Sequence, residues 1–206
     1  MILIKEENNE SIDLAIKFLR EGKIISFATD TVYGLAVDAT NSKAVEHLYK
    51  IKNREENKPI AIFVKDIKTA KKLFKFDNLA SKIAAKFLPG ALTIILETSD
   101  LAGFAKNLNP NNNFLGFRIV DKKFIQNLLE KFDGILAVTS ANPSSLAPAI
   151  DADEVKKYFS NDDILIIDGK ITKHKISSTV VKISDNKLEI LRHGAIRDQI
   201  LLNENY

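Results

Sequence analysis

The chain has 206 residues, with 30 Lys and Arg against 27 Asp and Glu, a net charge of +3 and no cysteine. The missing cysteine excludes disulfides, thiolate metal sites and a cysteine nucleophile, and it is typical of a reducing cytoplasm. The charge is too small to indicate nucleic-acid binding by itself, and no apolar run approaches the roughly 20 residues of a membrane span. We therefore expect a cytoplasmic protein without a membrane segment.

The first predicted elements are a helix and a strand that ends in polar side chains. Apolar residues recur with a helical period over residues 9–21, and Gly22 is placed to end that helix. A buried strand, Ile24–Ala28, then leads into a loop that Gly34 closes. The polar residues of this loop are Thr29, Asp30, Thr31 and Tyr33. Such a loop either presents hydrogen-bond donors to a ligand or satisfies only the backbone of a turn.

The next helix begins near Ser42 and runs into a basic segment before the strand Ile60–Val64. The cations of this segment are Lys50, Lys52, Arg54 and Lys58. Cations near a helix C-terminus complement the helix dipole, which accounts for Lys50 as an exposed side chain. The other three lie closer to the apolar strand, where they could instead meet an anion such as phosphate.

The middle of the chain alternates helices and strands. The predicted elements are a helix capped by Asp66, a helix capped by Asp77 or Asn78, the strand Leu92–Glu97 and the strand Phe114–Val120. Arg118 lies inside the last of these, between two apolar residues. Its guanidinium therefore needs either an anionic partner or contact with water, and on an edge strand it could simply point to solvent.

The second half repeats the arrangement of a buried strand followed by polar residues. The predicted elements are a helix from Asp121 to Phe132, the strand Ile135–Val138, the strand Ile164–Ile167, the hairpin Thr179–Ser184 with Leu188–Leu191, and a short helical tail. Thr139–Ser145 and Ser177–Thr179 supply the polar side chains. Alternating helices and strands with a final hairpin predict an α/β fold with a mixed sheet, and no linker divides residues 1–206 into two domains.

Several catalytic motifs are absent from the sequence. It contains no GxxxxGK[ST], GxGxxG or GxSxG pattern, and its three histidines, His47, His174 and His193, have no metal-ligand spacing. We therefore predict no metal held by side chains and assign no catalytic acid or base. If the polar strand ends converge, they form a groove of donors and fixed cations that would act by positioning and charge neutralisation.

Seven motifs give the chain a specific resemblance. They occur in the order TDTVYGL (29–35), KNR…KP (52–59), PGALT (89–93), GFR (116–118), TSANPS (139–144), SSTVV (177–181) and LRHG (191–194). In this order and at these intervals they resemble the YrdC family over nearly the whole chain. The resemblance implies a single YrdC-like α/β domain over residues 1–206, with a twisted mixed sheet flanked by helices and a deep basic central groove.

The resemblance also implies an activity and a set of ligand-binding residues. The expected reaction converts L-threonine, bicarbonate and ATP, with Mg²⁺ on the phosphates, to threonylcarbamoyl-AMP and pyrophosphate. Separate proteins would transfer the threonylcarbamoyl group of the product to an adenosine of tRNA, which releases AMP and forms N6-threonylcarbamoyladenosine. The positions that match the family would bind ATP through Lys52, Arg54, Lys58, Ser140, Asn142 and Arg192. The residues that would bind threonine are Thr31, Arg118 and Ser178, with Thr29 and Tyr33 shaping the pocket.

The chain departs from the family pattern at four positions that we singled out. Ala28 and Ala91 replace prolines, Val120 replaces the proline of an R-x-P sequence, and Ser145 stands at a glycine. These departures keep open a paralogue with little synthase activity. A YrdC-like RNA-binding module is a further alternative, although no aromatic stacking pair is evident. The short chain without zinc-binding cysteines argues against a carbamoyl-phosphate-using domain of the hydrogenase-maturation type.

Overall fold

The computed structural model describes residues 1–55, 58–99, 103–109 and 113–202. Its strands in these ranges are β1 (Ile2–Lys5), β2 (Ile24–Ala28), β3 (Tyr33–Asp38), β4 (Ala61–Phe63), β5 (Leu92–Glu97), β6 (Phe114–Arg118), β7 (Leu136–Ser140), β8 (Ile164–Asp168), β9 (Thr179–Ser184) and β10 (Lys187–Arg192). Its α-helices are α1 (Ser11–Arg20), α2 (Ser42–Ile51), α3 (Ile67–Leu73), α4 (Asn78–Phe87), α5 (Lys123–Phe132), α6 (Ala152–Tyr158) and α7 (Asp198–Leu202), with a 3-10 turn at Lys106–Leu108. No helix within the described ranges is long and apolar enough to cross a membrane.

The ten strands form one mixed sheet. Their order is β1-β8-β2-β3-β7-β4-β6-β5-β9-β10. The pairs β1–β8, β2–β8, β4–β6 and β5–β9 are parallel, and the other five pairs are antiparallel. The predicted α/β fold with a mixed sheet is therefore confirmed.

The two faces of the sheet bury two different apolar clusters. On β3, Leu35 and Val37 point into a large cluster that includes residues of α2, α4 and α6. Ala36 points to the other face, into a smaller cluster with residues of α1 and α5. Alternate side chains of a strand face opposite sides, which explains this division. The smaller cluster covers only part of its face, and the rest is where a cavity lies.

Some predicted elements differ from the structure. The loop between β2 and β3 ends at Val32, so Tyr33 and Gly34 belong to a strand and the prediction of a loop up to Gly34 was wrong. Residues 2–5 and 152–158 carry a strand and a helix that the sequence did not predict. Both are short: β1 has four residues and α6 has seven, too few to establish a clear period.

Asp77 connects α4 to the turn between β9 and β10. Its Oδ1 accepts the Ala80 N–H at 2.7 Å, as a helix cap, and its Oδ2 accepts the Asn186 N–H at 3.0 Å. Asp66 makes the equivalent cap for α3, accepting the Thr69 N–H at 2.6 Å. We expect Asp77→Ala to lower the free energy of unfolding by about 2 kcal/mol, and Asp66→Ala by about 1 kcal/mol. Urea unfolding of the two variants measures this difference, and equal losses would contradict a contribution from the turn contact.

Candidate functional site

A cavity of about 260 Å³ lies on the face of the sheet that carries the smaller cluster. Val138 belongs both to that cluster and to the cavity wall. Gly34, Ala61 and Gly116 are small residues of the cavity lining on β3, β4 and β6, and β7 lies between β3 and β4. A Cβ on Gly116 would lie 3.1 Å from the methyl carbon of Thr93, so a larger residue there would crowd the cavity wall.

The cavity brings together eight of the eleven predicted site residues. Those that line it are Thr29, Thr31, Tyr33, Arg54, Arg118, Ser140, Ser178 and Arg192. Three others, Lys52, Lys58 and Asn142, do not line it. Residues from positions 29 to 192 therefore converge on one space, as the strand order requires.

The loop between β2 and β3 is organised by the hydroxyl of Thr29. Its Oγ1 accepts the backbone N–H groups of Thr31 at 3.0 Å and Val32 at 3.2 Å. It also donates to the Val32 carbonyl at 2.6 Å and lies 2.9 Å from Thr31 Oγ1. Both threonines are almost fully buried. These hydroxyls satisfy the turn, and the turn fixes the position of Thr31 at the cavity.

Arg118 is held from three directions. Its Nε donates to the Gly90 carbonyl at 2.8 Å, its Nη1 to Thr31 Oγ1 at 2.8 Å, and its Nη2 to Asp30 Oδ1 at 2.5 Å. The residue is 3% exposed, and burial lowers the pKa of its guanidinium while the Asp30 carboxylate acts to raise it. A guanidinium has five N–H donors, so two remain for a ligand in the cavity.

Asp30 is one of two residues here to which the sequence analysis gives no role. It is 5% exposed and forms the ion pair with Arg118 from the adjacent loop. The sequence did contain a signal, because a buried arginine in a strand requires a buried anion and Asp30 is the carboxylate of the polar loop. Its carboxylate balances the charge of Arg118 and orients the guanidinium.

Ser178, Thr93 and Arg192 form a second cluster on the opposite wall. Arg192 donates to the Ser178 carbonyl through Nε at 3.1 Å and Nη2 at 2.9 Å, and to Ser178 Oγ at 3.1 Å. Thr93 Oγ1 lies 2.8 Å from Ser178 Oγ. Thr93 lines the cavity and was missed as a site residue, although it belongs to the PGALT motif. Burial lowers the pKa of Arg192, and Arg54 adds to that effect.

Gly194 allows the close packing behind this cluster. A Cβ at this position would lie 2.4 Å from both the Ser177 carbonyl oxygen and the Thr179 nitrogen. Because those are backbone atoms, a larger residue would displace the strand end that carries Ser178. The LRHG motif therefore has a steric reason for its glycine.

Arg54 reaches the cavity from the segment after α2. Its Nε donates to the Lys58 carbonyl and its Nη2 to the Pro59 carbonyl, each at 2.9 Å. Burial lowers the pKa of Arg54 as well. The ammonium of Lys58, by contrast, is exposed and pairs with Glu55 at 2.9 Å.

Lys52 and Asn142 meet behind the cavity wall. The Lys52 ammonium donates to the Ser140 carbonyl, to the Asn142 carbonyl at 2.7 Å and to Asn142 Oδ1 at 3.3 Å. Burial and the nearby charge of Arg54 lower the pKa of Lys52 to about 7, whereas hydrogen bonds to the charged form act in the opposite direction. Ser145 in the same loop has a φ of 81°, so this serine keeps the backbone that a glycine favours.

Tyr33 lies under the cavity with its hydroxyl turned to the end of β8. The hydroxyl donates to the Lys170 carbonyl at 3.0 Å and accepts the Gly169 N–H at 3.1 Å. Burial raises the pKa of this hydroxyl, which therefore stays protonated. The Tyr33 side chain belongs to the large cluster on the opposite face of the sheet and connects β3 to the β8 turn, so it supports the cavity from behind.

The lining residues determine what the cavity can bind. They include three arginines, Arg54, Arg118 and Arg192, together with several hydroxyls, and none of the lining residues within the described ranges is a carboxylate or a histidine. Among the described residues, no three potential metal ligands cluster. The site thus suits a ligand with several negative charges, and its residues do not fit a metal ion held by protein side chains alone.

Comparisons with known proteins agree with this geometry. A family model described as telomere recombination, for the Sua5, YciO and YrdC proteins, matches residues 17–194. A protein of Methanocaldococcus jannaschii is 36% identical over 209 residues, which cover 98% of this chain and 96% of that protein. The human threonylcarbamoyl-AMP synthase is 33% identical over 191 residues, which cover 90% of this chain and 67% of that protein.

A solved structure shows the same fold. Pyrococcus abyssi Sua5 complexed with L-threonine is similar with a TM-score of 0.86 and 28% identity over 94% of this chain. The chain spans 57% of the length of that Sua5 chain. The likeness confirms that the described sheet and helices are arranged as in Sua5.

Proposed function

The chain belongs to the Sua5/YciO/YrdC family, and on that basis we propose that it is a threonylcarbamoyl-AMP synthase, a nucleotidyltransferase. The observation that carries the proposal is the convergence of Arg54, Arg118 and Arg192 on one cavity. The carboxylate of threonine, the carbamate and the triphosphate are all anions. A cavity lined by three fixed cations matches that substrate set.

The proposed reaction has two steps. The amine of threonine adds to CO2 formed from bicarbonate and loses a proton, which gives a carbamate. A carbamate oxygen then attacks the α-phosphorus of ATP, and the bond to the β-phosphate oxygen breaks to release pyrophosphate. Negative charge builds up around one phosphorus, so positioned cations and hydrogen-bond donors are the main catalytic requirement.

The residues divide between the two substrates by their place in the cavity. Arg118 would bind the threonine carboxylate with its two remaining N–H donors, beside Thr31 and Ser178. Arg54, Arg192 and Ser140 would bind ATP. Lys58 would need to leave its pairing with Glu55 to reach a phosphate. Thr29 and Tyr33 support the cavity from below.

Mg²⁺ would enter as part of the MgATP substrate. In the part of the chain that the structure describes, the lining residues offer no carboxylate to hold it, and Mg²⁺ is commonly held by substrate phosphates and water with few protein ligands. The product is a donor for tRNA N6-threonylcarbamoylation, so a transferase acting on tRNA is the partner that consumes it. We place the reaction in the cytoplasm, where ATP and tRNA are available.

Pyrophosphate release tests the proposal. The protein is incubated with ATP and Mg²⁺, with threonine and bicarbonate added separately or together. We expect pyrophosphate only when both are present, because the attacking carbamate needs both. Release without threonine would contradict the synthase. Tight RNA binding that weakens steeply with salt, without any turnover, would favour the RNA-binding module instead.

A further inference from the structure

Lys52 is a buried cation that faces backbone oxygens instead of the cavity. It is 2% exposed, and its ammonium contacts the Ser140 carbonyl and two oxygens of Asn142. Its own carbonyl accepts the Ser144 N–H at 2.9 Å. Lys52 therefore binds the loop after β7 through both its side chain and its main chain.

The side chain of Asn142 makes further hydrogen bonds within the same loop. Its Nδ2 donates to the Pro143 carbonyl at 3.0 Å and to the Leu146 carbonyl at 2.7 Å. Its Oδ1 is one of the oxygens that Lys52 contacts. The side chain thus donates within residues 140–146, here called the β7 loop, accepts from Lys52, and does not line the cavity.

We propose that Lys52 and Asn142 form a buried clamp that positions Ser140 at the cavity, so that Lys52 acts through Ser140 and is not a phosphate ligand. Ser140 is the residue of the β7 loop that lines the cavity. The clamp holds its carbonyl directly, which fixes the backbone that carries the hydroxyl. Lys52 is a positioning residue in this arrangement.

The arrangement of donors and acceptors favours this role over direct binding. An ammonium has three N–H donors, and three oxygens of the β7 loop surround the Lys52 ammonium. Turning Lys52 toward a phosphate would remove this donor from the Asn142 carbonyl and from Asn142 Oδ1, which is costly in a buried residue. Arg54, two residues along, already provides a cation that lines the cavity.

Hydrogen exchange of the ligand-free protein tests the clamp without reference to catalysis. The probes are the bonded amides of Ala141, Asn142, Ser144 and Leu146. We expect Lys52→Met to speed their exchange about 10-fold or more, as the loss of a charge-assisted hydrogen bond predicts. Lys50→Met is the matched control, because Lys50 is exposed and makes no contact with the clamp oxygens described above.

A double-mutant cycle separates positioning from direct binding. Its catalytic readout rests on the proposed function, whereas the exchange readout does not. If Lys52 acts through Ser140, Lys52→Met and Ser140→Ala together should raise the ATP requirement no more than the larger single change. The threonine requirement should change little. Effects of the two substitutions that multiply would show an independent contact of Lys52 with ATP.

Two results would overturn the proposal. One is unchanged exchange of the β7 loop in Lys52→Met with ATP binding reduced, which is the pattern of a direct ligand. If Lys52→Met loses protection throughout the chain, Asn142→Ala replaces it in both experiments. Unchanged exchange of the β7 loop in that variant would equally refute the clamp.

Discussion

Arg118→Ala should raise the threonine concentration needed for half-maximal activity, here called the threonine requirement, at least about 100-fold. The corresponding ATP requirement should change far less. The substitution removes two charge-assisted hydrogen bonds to the threonine carboxylate, each worth about 1.5–3 kcal/mol, and 1.4 kcal/mol corresponds to tenfold. Steady-state pyrophosphate release at varied threonine and varied ATP measures both requirements. Equal increases in the two would refute the assignment of Arg118 to threonine.

The same substitution also affects folding, because it leaves Asp30 as a buried charge without its partner. Breaking a buried ion pair from one side costs about 3–5 kcal/mol. The double variant Asp30→Ala/Arg118→Ala removes that unpaired carboxylate, so it should regain part of the lost stability. It should not regain use of threonine. Recovery of both stability and threonine use would mean that the single variant had failed through misfolding alone.

Lys131→Ala is the matched control for loss of one positive charge. Lys131 pairs with Asp13 at 2.5 Å between α5 and α1, and it does not line the cavity. An exposed pair of this kind contributes little. Both substrate requirements should therefore stay at the wild-type level, which would limit the effect of Arg118→Ala to its place in the cavity.

Much of the fold could be predicted from hydrophobic periodicity and from the residues that cap or end helices and strands. Strands β2, β5 and β9 have the predicted limits, and Asp66 and Asp77 cap helices as expected. The strand order could not be predicted in the same way. Pairing of β3 with β7 joins residues more than 90 positions apart, and no local pattern specifies such a pairing.

The site, like the fold, could be predicted in its local features but not in its spatial arrangement. The residue types predicted an anion-binding groove if the polar strand ends converge, and they left open that the hydroxyls only satisfy turns and that Arg118 points to solvent. The direction of each side chain could not be predicted. Lys52 has the sequence context of a phosphate ligand, but its ammonium lies behind the wall, since β7 places the Ser140 and Asn142 oxygens beside it. Asp30 and Thr93 were missed because their roles depend on partners from distant strands.

Arg54→Ala should have the reverse effect of Arg118→Ala, with the ATP requirement raised about 10- to 100-fold and the threonine requirement nearly unchanged. The Lys58 and Pro59 carbonyls hold two of its donors, so the guanidinium is already oriented when ATP arrives. Such preorganisation lowers the entropic cost of binding. The assay is the same titration of ATP and threonine that separates the two requirements for Arg118→Ala.

Thermal stabilisation by ATP gives a second test of Arg54. Burial and the nearby charge of Arg54 lower the pKa of Arg192, because like charges lie close together in a partly dry site. ATP would relieve that repulsion, so ATP should raise the melting temperature of the wild type through preferential binding to the folded state. In Arg54→Ala the rise at the same ATP concentration should be much smaller, whereas Lys131→Ala should keep it. A full rise in Arg54→Ala would place the triphosphate elsewhere.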